Sequence, residues 1–336
     1  MTTVPKRATI LDVAKAAGVS KATVSRVLAG DYPVAKPTAQ RVREAVEELG
    51  YTASSRARSL ATGRSDAFAV IISEPLDVFF ADPTFARIVQ GITDALSDTR
   101  VVPILLPTAT PQEQGKAYRL ITNQTVDAVI HLSPWSDQGL LDSLASEHVP
   151  TVVCGQDEGL EKDSPFSFVY SDDRLGAVQA AERVQAAGRT NPVAILGKQD
   201  QPAATDRLKG YQEVFDCLSD ERIRWGDWSE RAGADAMRSI LDAGLDLDAV
   251  LAGSDRIARG AIEVLRRAGR NVPAHVSVIG YDDHPTAMDR SPALTTIAQP
   301  MHAQGEAACR LAQDMVEGAP ARTIILPTEL KDRETV

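Results

Sequence analysis

Cysteine is scarce: Cys154, Cys217 and Cys309 are the only three in 336 residues. Odd in number and far apart, they exclude a disulfide framework and a zinc ribbon and fit a reducing compartment. Histidine is nearly as thin. The five, His131, His148, His275, His284 and His302, form no pair at helical spacing, so the sequence offers no metal centre. No apolar run approaches the ~18 residues of a membrane span. The first ten residues carry Lys6 and Arg7 but lack the apolar core of an export signal. A G-x-S-x-G elbow, a P-loop and a G-x-G-x-x-G turn are all missing. The expectation is a soluble, cytoplasmic protein with no membrane partner, catalytic residue, metal or cofactor.

What is there is globular. Hydrophobic residues make up 43% and charged residues 24% of the chain, and its length predicts two or three folding units. The net charge of -10 argues against a polyanionic partner until its distribution is examined. Residues 1–64 hold eleven lysines and arginines against five aspartates and glutamates, a charge of +6, which leaves -16 for the remainder. A basic module is joined to an acidic body.

In the basic module, Thr9 and Asp12 form a helix start, and Ile10, Val13, Ala14 and Ala17 recur at helical spacing before Gly18 ends the segment. Ser20 is the next N-cap. It precedes a run, Lys21 to Leu28, with Val24, Val27 and Leu28 on one face and Lys21, Ala22, Ser25 and Arg26 on the other. A third helix starts near Pro37 and Thr38, carries Val42, Ala45, Val46 and Leu49 inward, and stops at Gly50. Two short helices around Gly18 make a helix-turn-helix, and the third closes a small core.

The stretch from Ala8 to Leu28, with Arg41-Val42, Glu48-Leu-Gly-Tyr51 and Ala57-Arg-Ser-Leu60, resembles the headpiece and hinge of the lactose-repressor (LacI/GalR) family. The resemblance implies that the second helix is a recognition helix lying in the DNA major groove. Lys21, Ala22 and Arg26 would then face base edges, while Thr9, Ser20, Thr23, Ser25, Lys36 and Thr38 would serve phosphates. Arg26 has the fork that grips a guanine edge, and Ala22 offers a methyl contact. Two departures stand out: Ala29 replaces a polar residue of the family, and Ala35 replaces the serine that would cap the third helix. From Tyr51 to Gly63 a short helix beginning at Ser54 and Ser55 would be marginal alone. By the same resemblance it pairs with its copy in the minor groove, with Leu60 as the wedge and Ala57 as the small residue beside it.

From Ala67 onward short apolar runs alternate with amphipathic stretches. Phe68–Ile72, Val101–Leu106, Ala128–Leu132, Thr151–Cys154, Val193–Leu196, Ala249–Ala252 and Val276–Ile279 read as buried parallel strands in two series. Two series of strands and helices predict α/β layers in two lobes, with a cleft at the strand ends. Asp82-Pro-Thr-Phe-Ala86, Arg207-Leu-Lys-Gly-Tyr211, Gly226-Asp-Trp-Ser229, Ser254-Asp255, Val278 to Asp283 and Leu294 to Pro300 are similar to repressor-body motifs.

The implied fold is a small all-α helix-turn-helix headpiece (1–53), a hinge helix and linker (54–65), and an α/β two-lobed body (66–336) like a type I periplasmic binding protein. Chain crossovers fall near 166, 293 and 323, giving lobe 1 as 66–165 and 294–322 and lobe 2 as 166–293 and 323–336. The effector positions implied are Phe85, Trp135, Arg207, Trp228, Ser254, Asp255, Asp282 and Gln299, a set suited to a sugar. The family also implies a homodimer, and no heptad repeat follows Leu330.

The function expected is a dimeric, ligand-responsive repressor of genes for carbohydrate uptake or breakdown, bound to near-palindromic operator DNA. A purine- or nucleoside-responsive regulator, and one that needs its ligand as a co-repressor, use the same fold. A sugar-binding transport protein would share the body but have no use for the basic module. An architectural DNA-binding protein would not need the body.

Overall fold

The computed structural model describes residues 8–29, 33–51, 63–132, 138–156 and 164–336. The chain forms two compact units, Met1–Asp66 and Ala67–Val336. In the first, α1 (Ile10–Ala17) begins at Thr9 in a reciprocal capping box: the Thr9 N–H donates to the Asp12 carboxylate at 2.8 Å and the Asp12 N–H donates to the Thr9 hydroxyl. Gly18 terminates it at φ 63°, where a side chain would be strained. Ser20 Oγ accepts from the Thr23 N–H at 3.1 Å and starts α2 (Lys21–Ala29). α3 (Lys36–Glu48) follows Ala35 without a side-chain cap and has Pro37 in its first turn instead. Val13, Ala14, Ala17, Val24, Val42 and Ala45 close the core of this unit. The hinge segment, residues 52–62, lies outside the described residues.

The second unit opens with β1 (Ala67–Ile72), α4 (Leu76–Ala81), α5 (Pro83–Leu96), β2 (Val102–Pro107), α6 (Pro111–Leu120), β3 (Ala128–Leu132), α7 (Gln138–Ser146), β4 (Thr151–Cys154) and β5 (Ser167–Ser171). It continues through α8 (Asp173–Ala186), β6 (Pro192–Leu196), α9 (Pro202–Val214), β7 (Ile223–Trp225), α10 (Glu230–Asp242), β8 (Ala249–Ala252), α11 (Asp255–Arg267), β9 (Ser277–Asp282) and β10 (Thr295–Ala298). It ends with α12 (Met301–Val316), β11 (Thr323–Leu326) and β12 (Glu329–Lys331). One sheet runs β11-β5-β4-β3-β1-β2 and the other β12-β10-β9-β8-β6-β7; only β12 is antiparallel to its neighbour. Both sheets are covered on both faces. Phe68, Val70 and Ile72 of β1 enter one core while Ala67, Ala69 and Ile71 enter the core behind it, as the two-residue period of a strand requires.

The crossovers fall a few residues later than 166, 293 and 323. β5 and β11 belong to the first lobe's sheet, and β10 to the second's, so the chain changes lobe after Ser171, Ala298 and Leu326. The apolar-run criterion overlooks such strands because serine and threonine bound them. The hydroxyls of Ser167, Thr295 and Thr296 are satisfied internally, as where Thr296 Oγ1 donates to Asp255 Oδ1 at 2.5 Å. Pro83, Pro111 and Pro202 open α5, α6 and α9, where the missing N–H costs no helix bond.

Close helix packing depends on glycine at Gly260. A Cβ there would lie 1.9 Å from the Glu230 carbonyl oxygen, so α10 and α11 would have to separate. Replacing Gly260 with Ala should cost about 1–3 kcal/mol through overpacking, read as a lower urea midpoint. An unchanged midpoint would show that the two helices are not held at this distance.

Candidate nucleic-acid interface and ligand cavity

In the first unit the apolar stripe of α2 is drawn inward by Val24, which leaves Lys21, Ala22, Ser25 and Arg26 exposed on the opposite side. The structure therefore places the expected base-reading residues together on one face of an exposed helix. The hydroxyls of Thr9, Ser20 and Thr23 are engaged in local caps: Ser20 Oγ lies 2.9 Å from Thr23 Oγ1, and Thr9 Oγ1 donates to Asp12 at 2.7 Å. These bonds fix the helix starts, where backbone N–H groups and the positive helix end favour phosphate oxygens. Lys36 is exposed and Thr38 half-buried at the start of α3. Ala57 and Leu60 lie outside the described residues.

In the second unit a cavity of about 580 Å³ lies at the carboxyl ends of the strands and is lined by both lobes. Its buried floor is Arg207 of α9. The Arg207 Nε donates to Asp173 Oδ1 at 2.8 Å, and one terminal nitrogen donates to the Gly253 carbonyl and lies 3.5 Å from Asp282 Oδ1. The guanidinium sits 3.7 Å from the centroid of the Tyr281 ring and 5.3 Å from that of Trp228. Burial alone would pull its pKa down, but Asp173 and Asp282 outweigh that and keep it fully charged.

Asp282 adds a carboxylate to the cavity lining. Burial raises its pKa to about 6 even though Arg207 opposes the shift, and Gln299 Nε2 donates to Oδ1 at 2.6 Å. Its backbone is strained. Asp282 and Asp283 have φ of 106° and 52°, two successive left-handed positions without glycine. Side-chain bonds hold the pair in place, since Asp283 Oδ1 accepts from Arg333 at 2.6 Å while Asp282 is held by Gln299 and Arg207.

Aromatic walls complete the cavity. Trp228 lies against Gly197, where a Cβ would meet its ring at 2.3 Å, and its indole N–H donates to Gln201 Oε1. From the other lobe comes Phe85, stacked on Phe79 with centroids 5.0 Å apart. Among the described residues, polar contacts cross between lobes at the cavity where Arg256 pairs with Asp82 and where Arg87 donates to the Asp283 carbonyl at 3.4 Å.

Of the effector positions implied by sequence, Phe85, Arg207, Trp228, Asp282 and Gln299 line this cavity together. Trp135 lies outside the described residues. Ser254 and Asp255 do not line it. Ser254 caps α11 by accepting from the Ile257 N–H, and Asp255, fully buried, accepts from Thr296 Oγ1 and from the His284 N–H at 2.7 Å. Ser254 is thus consumed in starting α11, and Asp255 in tying β10 to the segment that follows β9. Sequence reasoning missed Asp173, Gln201, Arg256 and Asp82. The only signal for Asp173 was its place just after β5, a strand that the apolar-run criterion does not detect.

Residues 9–54 match the model of bacterial regulatory proteins of the lacI family, and residues 170–336 match that of a periplasmic binding protein-like domain. The chain is 35% identical over 336 residues to the HTH-type transcriptional regulator CelR of Thermobifida fusca, covering 98% of each. A solved complex of the transcriptional regulator CelR with cellobiose superposes with a TM-score of 0.77 at 34% identity, over 98% of this chain and 100% of that one. The lac repressor dimer bound to operator and the anti-inducer ONPF superposes with a TM-score of 0.84 at 26% identity, over 98% and 99%. These relatives are regulators and not enzymes. A helix-turn-helix with an exposed second helix, a two-lobed body and identity sustained along nearly the whole of both chains lead to one conclusion: this chain belongs to the lacI family of bacterial regulatory proteins.

Proposed function

We propose that the protein is a cytoplasmic, homodimeric repressor that grips a near-palindromic operator and lets go when a carbohydrate fills the body cavity. The observation that carries the reading is the cavity itself: a buried acceptor and donor, Asp282 and Arg207, lie between aromatic walls contributed by both lobes. Carboxylate and guanidinium pair with vicinal hydroxyls, and a flat ring face suits the apolar face of a pyranose. That a similar regulator has been solved with cellobiose makes a β-linked disaccharide the first ligand to try.

On DNA, Lys21, Ala22 and Arg26 read bases while Thr9, Ser20, Thr23, Ser25, Lys36 and Thr38 hold phosphates, with Ala57 and Leu60 acting in the minor groove. The ligand must bind the two body states unequally to shift the operator equilibrium. The Arg256–Asp82 pair and the Arg87 contact are the bonds between lobes that such a shift would remake.

Selection from random duplexes should recover a palindrome. Replacing Arg26 with Ala should relax selectivity at one base position per half-site by about 1–3 kcal/mol. Replacing Lys36 with Ala should weaken all sequences alike and reduce the slope of log K against log salt by about one. Unaltered selectivity in the Arg26 variant would remove it from base reading. For the cavity, a ligand hydroxyl donating to Asp282 favours the ionised carboxylate, so binding lowers a pKa that stands at about 6 in the free protein. Affinity should therefore be full above that pH and fall as pH drops through it. Asp282→Asn should bind about tenfold more weakly, as expected for losing a hydrogen bond to a charged group, and lose the pH dependence. Calorimetric titration from pH 5 to 8 checks this, and a flat wild-type profile would place the ligand away from Asp282.

A further inference from the structure

We infer that the cavity is a charge filter: it admits uncharged polyhydroxyl ligands and rejects the phosphorylated or carboxylated forms of the same sugars. The inference rests on the carbohydrate reading above and names the class of carbohydrate. Recognition of a phosphate or a carboxylate draws on guanidinium forks and free N–H donors, because an anion supplies acceptors only. Both guanidinium groups lining this cavity are already paired with carboxylates. Arg207 is held by Asp173, the Gly253 carbonyl and Asp282, and Arg256 by Asp82. Donors are left over, such as Arg256 Nε, which has no partner among the described residues, and they can serve a neutral hydroxyl. The charge of each guanidinium, however, is already balanced by a carboxylate, so an anionic ligand meets no uncompensated positive charge there.

The remaining lining charges reinforce the exclusion. Against one lysine, Lys198 at the exposed rim, stand Glu74, Asp77 and Asp227. Among the described lining residues the acidic side chains number six and the basic ones three, so the cavity carries net negative charge even with its ion pairs intact. Low-dielectric walls focus that field on whatever enters. A neutral sugar meets no such penalty. Its hydroxyls donate to Asp282 and accept from the Gln299 amide, and its ring faces lie on Phe85 and Trp228, which carry no charge to oppose. The specificity-determining groups are thus the carboxylates that pair with the arginines and balance their charge, together with the three acidic residues of the rim.

Cellobiose, maltose and lactose, each beside its aldonate and its 6′-phosphate, can be titrated calorimetrically into the full chain at pH 7.5. The expected result is that at least one neutral sugar binds and that both of its anionic forms bind at least tenfold more weakly. That ratio should narrow as salt is raised, because screening weakens repulsion at the rim. It should narrow again in the Glu74→Gln, Asp77→Asn, Asp227→Asn triple variant. An anionic form that binds as well as its neutral parent would overturn the filter while leaving the carbohydrate reading standing. Failure of all nine compounds would overturn that reading, and the filter with it. A ratio unmoved both by salt and by the triple variant would also overturn the assignment, since shape rather than charge would then be the cause.

Discussion

The body depends on one buried cation. Arg207 brings together the start of α8 at Asp173, the end of β8 at Gly253, the end of β9 at Asp282 and the ring of Tyr281, all within the second lobe. A guanidinium taken out of water is tolerated only when its donors are matched, and breaking one partner of such a set leaves an uncompensated charge that costs about 3–5 kcal/mol. Four elements are therefore locked to the same point. The cavity floor that results is polar and fixed in position, which is what a site must be if it is to read hydroxyl geometry.

Around that point the backbone is held in a shape it would not choose. Asp282 and Asp283 are left-handed in succession, and they stay so because Gln299, Arg207 and Arg333 bind their side chains. Strain of this kind costs about 1–3 kcal/mol per residue and persists where surrounding bonds over-determine it. Its effect here is to turn the Asp282 carboxylate to the cavity while the Asp283 carbonyl receives Arg87 from the other lobe. The proposed ligand acceptor and one bond between the lobes thus sit on adjacent residues. Anything that rearranges the first acts on the second at close range, and a ligand needs no long pathway to bias how the lobes meet.

The division of charge serves both units. A positive segment ending near Arg64 can exchange counterions with phosphates, whereas the -16 of the remaining chain opposes non-specific adsorption to DNA and keeps the protein dispersed. The same acidity reaches into the cavity. Neutral ligands are indifferent to it and anions are not, so the bulk property that discourages wrong DNA contacts also narrows the choice of effector.

How much of this was legible in the chain follows from the range of the interactions involved. Thr9, Asp12, Gly18 and Ser20 act within three or four residues of themselves, so the helices of the first unit could be read off directly, and α2 exposes the side chains its pattern predicted. Long apolar strands were equally plain, because a buried parallel strand needs no partner to announce itself. The short strands at the crossovers were not, since Ser167, Thr295 and Thr296 look polar until their hydroxyls find partners in other segments. Arg207, Trp228, Asp282, Gln299 and Phe85 were found by resemblance, and they converge. Ser254 and Asp255, named with them, turned inward, because a buried carboxylate goes where Thr296 and His284 supply donors. Sequence by itself determined the local helices, the alternation of layers and the separation of charge, all of which are written in neighbouring residues. Only the tertiary structure decided which carboxylates neutralise Arg207 and Arg256, because Asp173 and Asp82 lie 34 and 174 residues away and reach them through the fold alone.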